Sequence, residues 1–103
     1  MMKIYRNPDV MWREEDEFKE QAYKGLDTGE DVAEIGTSIL LHSGKMHSLN
    51  VLGTEVWKLC DGRTVEEIIS SLGEDFDVDE EVLRKDVIEF LENIKEEGLI
   101  YEE

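Results

Sequence analysis

The pattern of apolar and polar positions near the start of the chain predicts a short strand followed by a surface helix. Residues 8–13 begin with a proline, which disfavours helix before it, and continue with apolar residues that favour an extended backbone. In residues 14–25, Phe18 and Ala22 lie one helical turn apart behind a run of acids. We therefore expect a helix here, with Gly25 as its C-terminal cap.

A hairpin is the clearest short-range signal in the sequence. Two apolar, strand-prone runs flank the pair 43–44, Ser-Gly, which suits a two-residue turn. Pairing across this turn places Leu41 opposite Met46 and Leu40 opposite His47. Both faces of the hairpin then carry large apolar side chains, so we expect it to be covered on more than one side.

Three helices are predicted after the hairpin. Asn50 can cap the first, and Gly62 can end it in a left-handed turn. Thr64 and Glu67 form a capping box that starts the second helix. The third spans residues 80–97, carries a wide apolar stripe and is followed by a glycine and a short strand. These elements predict an α+β, winged-helix-like domain: a small antiparallel β-sheet, the hairpin, followed by a three-helix bundle.

The net charge of the chain limits the classes of partner that it can bind. The chain has 11 basic and 27 acidic residues, a net charge of −16. Residues 64–103 hold 15 acids and 3 bases, whereas residues 36–63 hold 2 acids and 3 bases. A chain this acidic repels nucleic-acid phosphates and anionic membranes, and no apolar run reaches the roughly 20 residues of a membrane span. With a single cysteine and no signal-peptide pattern, we expect a cytoplasmic protein that binds neither nucleic acid nor membrane.

Residues suited to catalysis or metal binding are sparse. His42 and His47 share one face of the hairpin, but a third ligand is missing, so no metal site is expected. Cys60 precedes the end of a helix and not its start, where a thiol would be activated, and we interpret it as a core residue. Because there is also no phosphate-binding loop and no paired nucleophile and base, we expect no catalytic residues and no cofactor.

The segment "LNVLGTEVWKLCDGRTVEEI", residues 49–68, and the pattern D-V-x-x-F-L-x-x-I-x-x-x-G-L-I over residues 86–100 resemble the PqqD family. Members of this family are recognition elements for ribosomally made, post-translationally modified peptides (RiPPs). The resemblance implies a small non-catalytic protein that binds the leader of a precursor peptide. It also implies a radical S-adenosylmethionine (SAM) enzyme as partner, often one with a SPASM extension, to which the peptide is presented.

The chain departs from the family pattern near its start. Residues 14–35 look like an inserted helix and loop between the first strand and the hairpin. We therefore expect one PqqD-like domain, residues 1–103, with its core in residues 36–103. The insertion suggests a subgroup serving a maturation enzyme other than the one for pyrroloquinoline quinone.

The resemblance also implies where a peptide would bind. Family members add the peptide as an extra strand beside the hairpin, against the third helix. The expected peptide-binding residues of this chain are Lys45, Met46, His47, Ser48, Leu49, Arg84, Ile88 and Leu91. We expect Arg84 to pair either with a leader carboxylate or with acids of its own helix, such as Glu81 and Glu89.

Two other interpretations of the sequence remain open. A winged-helix arrangement is common in DNA-binding regulators, but residues 80–97 carry 7 acids and 3 bases, which opposes DNA binding. A structural subunit is the other interpretation, in which the apolar hairpin forms a homodimer. Peptide binding should perturb a few hairpin amides, whereas dimerisation should depend on protein concentration without any peptide.

Overall fold

A computed structural model of the chain describes residues 2–28, 35–76 and 78–103. Its elements, in chain order, are β1 (Ile4–Arg6), β2 (Met11–Glu14), α1 (Asp16–Asp27), β3 (Ser38–His42), β4 (Lys45–Leu49), α2 (Val51–Leu59), β5 (Asp61–Arg63), α3 (Val65–Asp75), α4 (Glu80–Glu96) and β6 (Ile100–Glu102). Backbone contacts divide the chain into two compact units, one of residues 8–54 and one of residues 1–7 with 55–103.

The unit of residues 8–54 contains an antiparallel sheet in the order β2-β3-β4. The hairpin has the predicted register, with Leu41 opposite Met46 and Leu40 opposite His47. Leu40 is fully buried, whereas Leu41 and Met46 are 47% and 69% exposed. The expectation that the hairpin is covered on more than one side is therefore wrong for the described residues, because the face carrying Leu41 is open.

Helix α1 lies within the predicted insertion, residues 14–35, of which residues 29–34 fall outside the described part of the chain. The helix buries Ala22 and Gly25. The sequence predicted Gly25 as the C-terminal cap of this helix, and that prediction is wrong. Gly25 belongs to the last turn of the helix. The cap is Thr28, whose hydroxyl donates a hydrogen bond to the Gly25 carbonyl oxygen (3.1 Å). A hydroxyl takes over the role expected of a glycine because it can satisfy a terminal helix carbonyl directly.

The second unit contains another antiparallel sheet, in the order β5-β1-β6. Tyr5 of β1 pairs with Tyr101 of β6, and their rings stack with centroids 5.5 Å apart. Next to Tyr5, the Arg6 guanidinium donates to the carbonyl oxygens of Trp57 (3.2 Å) and Lys58 (2.8 Å) near the end of α2. A cation there stabilises the helix because its last carbonyls lack partners in the helix. Strands β1 and β5 were not predicted from the sequence.

The predicted starts of α2 and α3 are confirmed, but the predicted end of α2 is not. The Asn50 side-chain oxygen accepts from the Gly53 N–H (2.9 Å) at the start of α2. The helix already ends at Leu59, and Gly62, with φ +108°, lies within β5 because residues 61–63 pair with β1. At the start of α3 the Thr64 hydroxyl accepts from the Glu67 N–H (3.2 Å), while the Glu67 carboxylate accepts from the Thr64 N–H (3.1 Å). The capping box is thus complete on both sides.

Apolar side chains of α2, α3 and α4 form most of the core of the second unit, as their spacing predicts, whereas Phe18 of α1 is 49% exposed. These side chains of the second unit are less than a tenth exposed: Ile4, Val56, Trp57, Cys60, Ile68, Ile69, Leu72, Phe76, Leu83, Val87, Leu91, Ile94, Leu99 and Ile100. Trp57 and Cys60 are core residues, as interpreted from the sequence. In the described residues, no helix is both long and apolar enough to cross a membrane.

Candidate functional site

Strand β4 forms one edge of its sheet among the described residues, and it contains all five hairpin residues of the predicted site, Lys45–Leu49. The turn before it has positive φ at Ser43 (+52°) and Gly44 (+77°). Two such residues match the right-handed twist of paired strands and hold a two-residue hairpin in register. The local sequence therefore sets which backbone groups of β4 face β3 and which face the open edge.

The direction of the β4 backbone follows from one hydrogen bond. The Thr37 N–H donates to the Leu49 carbonyl oxygen (2.7 Å), so Leu49 directs its backbone groups toward β3. Backbone groups of successive residues alternate in direction along an antiparallel strand. Met46 and Ser48 therefore present their N–H and C=O groups at the open edge. Unpaired groups in this arrangement form a template for an additional strand.

The side chains of β4 differ in exposure. Lys45, Met46 and Ser48 are exposed and His47 is half-buried, but Leu49 is only 7% exposed. The Leu49 side chain is therefore part of the core. The Ser48 side chain also lies close to the segment before β3, since a Cβ added to Gly36 would lie 2.5 Å from the Ser48 Oγ. Glycine at position 36 permits this close approach.

A buried hydroxyl cluster ties β4 to its neighbours, and sequence reasoning missed it. The Thr54 hydroxyl in the first turn of α2 lies 2.7 Å from the Thr37 hydroxyl and 2.7 Å from that of Ser38. Thr37 and Thr54 each approach the Leu49 carbonyl oxygen at 3.5 Å. These hydroxyls are almost fully buried, so their mutual hydrogen bonds offset the cost of desolvation. They fix the end of β4 against β3 and α2.

The other three predicted site residues belong to α4 in the second unit. Ile88 is 38% exposed, and Leu91 is 6% exposed and part of the core. Arg84 pairs with an acid of its own helix, as one of the two expectations held, but this acid is Glu80 and not Glu81 or Glu89. Its guanidinium also binds the Glu66 carboxylate of α3 through two hydrogen bonds, one of them 2.9 Å long, and lies 3.7 Å from Glu80. A bidentate pair is more favourable than a pairing along one helix face, which explains why Glu66 is the closer partner. The prediction that these three residues contact a peptide stays a prediction.

The surroundings of Cys60 do not activate its thiol. Burial raises the pKa of the Cys60 thiol to about 12, and its Sγ donates a hydrogen bond to the Val56 carbonyl oxygen (3.2 Å). A thiol with such a pKa stays protonated and is a poor nucleophile at neutral pH. No group of three His, Cys, Asp or Glu side chains that could hold a metal ion occurs in the described ranges. His42 and His47 thus have no third ligand there.

Comparison with models of protein families identifies the family of this chain. The family model for coenzyme PQQ synthesis protein D (PqqD) matches residues 37–100, more than half of the chain. The chain belongs to the PqqD family. The match begins at the hydroxyl cluster before β3 and ends in β6, so it includes the open edge of β4. Comparison with curated protein sequences gives no match.

Two solved structures share the fold of this PqqD-family chain. One is TbiB1 in complex with the TbiA(beta) leader peptide, at 20% sequence identity, covering 93% of each chain with a TM-score of 0.68. The other is the PqqD truncation of Methylobacterium extorquens PqqCD, described as a stand-alone RiPP recognition element. It is also 20% identical, covers 95% of this chain and 87% of its own, and has a TM-score of 0.64. The predicted fold class is therefore confirmed.

Proposed function

We propose that this chain is a non-catalytic recognition element that binds the leader of a ribosomally made precursor peptide. The leader adds to the sheet as a strand along the open edge of β4 and is presented to a radical SAM enzyme that modifies the peptide. The observation that carries the proposal is the pair of outward-facing backbone positions, Met46 and Ser48, on an edge strand held in place by the Thr54 cluster.

Strand addition suits this edge for a physical reason. Main-chain hydrogen bonds supply affinity and register whatever the peptide sequence is, while neighbouring side chains select among sequences. Residues 36–54 contain no acid, in a chain of net charge −16, so the edge does not repel a peptide that carries carboxylates. Family membership and the leader peptide bound to the similarly folded TbiB1 support the same function.

DNA binding fits the charges poorly. Helix α4, the element that would enter a major groove, carries 6 acids and 3 bases over Glu80–Glu96. One of those bases, Arg84, is occupied by Glu66. Each remaining carboxylate would oppose the phosphate contacts that supply most non-specific affinity for DNA.

The proposal is tested by removing one outward-facing donor. Ser48→Pro eliminates the N–H at the open edge without removing a hydrogen bond between β3 and β4. We expect it to weaken binding of a synthetic leader of a precursor peptide from the same genome by about tenfold or more, since one lost backbone bond and a bent edge together exceed about 1.4 kcal/mol. The measurement is isothermal titration calorimetry.

Ser48→Ala is the matched control, because it removes the hydroxyl but keeps the N–H, and it should bind the leader as the unaltered chain does. Titration of the leader into isotopically labelled protein should shift the amides of Met46 and Ser48 most, and shifts in α4 would test the prediction for Arg84, Ile88 and Leu91. Equal leader affinity for the proline and alanine variants, or shifts confined to the first 28 residues, would refute the edge of β4 as the binding site.

A further inference from the structure

The sheet of the first unit exposes an apolar row that extends beyond the edge of β4 proposed for the leader. Met11 of β2, Leu41 of β3 and Met46 of β4 are direct cross-strand neighbours. Their side chains are 71%, 47% and 69% exposed. An antiparallel sheet normally turns polar side chains to water on its uncovered face, so three neighbouring large apolar groups there need an explanation.

We define the outer sheet face as the side chains that alternate onto the same side as this row: Met11, Arg13, Ile39, Leu41, Met46 and Ser48. The opposite side holds Leu40, which is fully buried. Five of these outer side chains, with Trp12 beside them, line an open hollow of about 390 Å³. Methionine side chains at two of its borders can adapt their shape to a partner.

We propose that the outer sheet face is the docking surface for the modifying enzyme, whose complementary surface is apolar at its centre and basic around it. The inference rests on the proposed function, because it concerns the enzyme to which the leader is presented. Both surfaces share β4: the leader pairs with its backbone edge, while the enzyme contacts its outward side chain Met46. A leader strand would extend the outer sheet face by one strand, so the enzyme would contact this chain and the leader together.

The outer sheet face is too small to form a specific interface by itself. Three strands about 4.8 Å apart and four residues with a rise of about 3.3 Å span on the order of 200 Å². A specific interface takes about 800 Å² from each partner. The outer sheet face is thus the apolar centre of a larger contact, whose rim must come from neighbouring residues.

The residues around the outer sheet face are acidic on balance, although the Glu14 carboxylate is paired with the Lys19 ammonium group (2.8 Å). Asp9 precedes β2, and a run of four acids, residues 14–17, begins at its end. Glu15 reaches back to the face, where its carboxylate pairs with Arg13 at 3.1 Å. A symmetric dimer would place this acidic rim against its own copy, with a charge of −16 on each chain. A partner with a basic rim gains from the same charges, which favours a different protein over a second copy.

The test introduces a positive charge into the apolar row. Met11→Lys and Leu41→Lys should each weaken binding of a radical SAM enzyme from the same genome about tenfold or more, because the added cation would be desolvated against the apolar centre of the enzyme surface. Leader affinity should stay unchanged, since neither side chain belongs to the edge of β4. Val82→Lys on α4 is the matched control: Val82 is similarly exposed (55%) but lies in the other unit, and this change should leave enzyme binding intact.

Biolayer interferometry with immobilised enzyme measures these affinities, and raised salt should slow association of the unaltered chain. Should Leu41→Lys fail to fold, Met11→Lys still tests the proposal, because the Met11 side chain is mostly in solvent.

Unchanged enzyme affinity in a folded variant would contradict the proposed docking surface but not the proposed peptide binding. The same holds if the unaltered chain binds the leader but not the enzyme. A concentration-dependent dimer that Met11→Lys dissociates would assign the face to a second copy. Absence of leader binding would instead contradict the proposed function itself.

Discussion

Gly62 illustrates how a single residue constrains β5, the short strand between α2 and α3. Its φ of +108° is unfavourable for residues with a side chain, and a Cβ there would lie 3.2 Å from Cε1 of Tyr5. We therefore expect Gly62→Val to lower the free energy of unfolding by about 1–3 kcal/mol, as measured by urea denaturation.

Gly73 supplies the comparison for this change. It lies inside α3, and a Cβ at this position would meet no atom within 4 Å. Gly73→Ala should raise the free energy of unfolding by roughly 0.5–1 kcal/mol, because alanine restricts the unfolded chain more than glycine does. If Gly62→Val left the free energy of unfolding unchanged or raised it, as expected for Gly73→Ala, the positive φ at Gly62 would not be a constraint on folding.

At the scale of an element, the start of α3 depends on its capping box. Thr64 and Glu67 satisfy each other's backbone N–H groups, which would otherwise lack partners at the helix start. Thr64→Ala should cost about 1 kcal/mol of stability in urea denaturation, whereas Thr64→Ser, which keeps the hydroxyl, should cost much less. Equal losses for both substitutions would mean that the methyl group and not the cap stabilises this turn.

The same helix start predicts a dependence on pH. Hydrogen bonds from the Thr64 backbone and side chain lower the pKa of Glu67, and the hydrogen bond from Arg84 lowers that of Glu66. A carboxyl group with a lower pKa in the folded state stabilises the fold above its unfolded pKa, and this stabilisation is lost as the pH falls through the folded value. Stability should therefore decrease on acidification through the usual glutamate range and below it.

Glu67→Gln isolates the contribution of one group, because glutamine keeps a hydrogen-bond acceptor but does not titrate. The stability advantage of the unaltered chain over this variant should be largest at neutral pH and should shrink on acidification, in denaturant titrations at several pH values. An advantage that grows as the pH falls would show that the pKa of Glu67 is raised and not lowered in the folded chain.

At the scale of the whole molecule, the two sheets were predictable to different degrees. The hairpin could be predicted because the pair 43–44 and the strands beside it are adjacent in sequence, and its register follows from the turn. Strands β1 and β5 could not, because each has only three residues, too few to show a period of two. They become strands by pairing, and the pairing of β1 with β6 joins opposite ends of the chain.

The candidate site was also only partly predictable from the sequence. Its position on β4 was predicted from the sequence, through the hairpin and the family resemblance. The hydroxyl cluster of Thr37, Ser38 and Thr54 was not, since isolated Ser and Thr residues are usually exposed and nothing local marks these three as buried. The partner of Arg84 was also missed, because Glu66 is 18 residues away while several acids lie nearer in the same helix.

The sequence by itself determined the helices, the capped starts of α2 and α3, and the hairpin, because their hydrogen bonds join residues only a few positions apart. Only the tertiary structure decided which side of the hairpin is buried. Leu40 and Leu41 are the same residue type at adjacent positions, yet one is fully buried and the other is 47% exposed. Burial depends on what the rest of the chain packs against each side, and no local pattern of apolar residues carries that information.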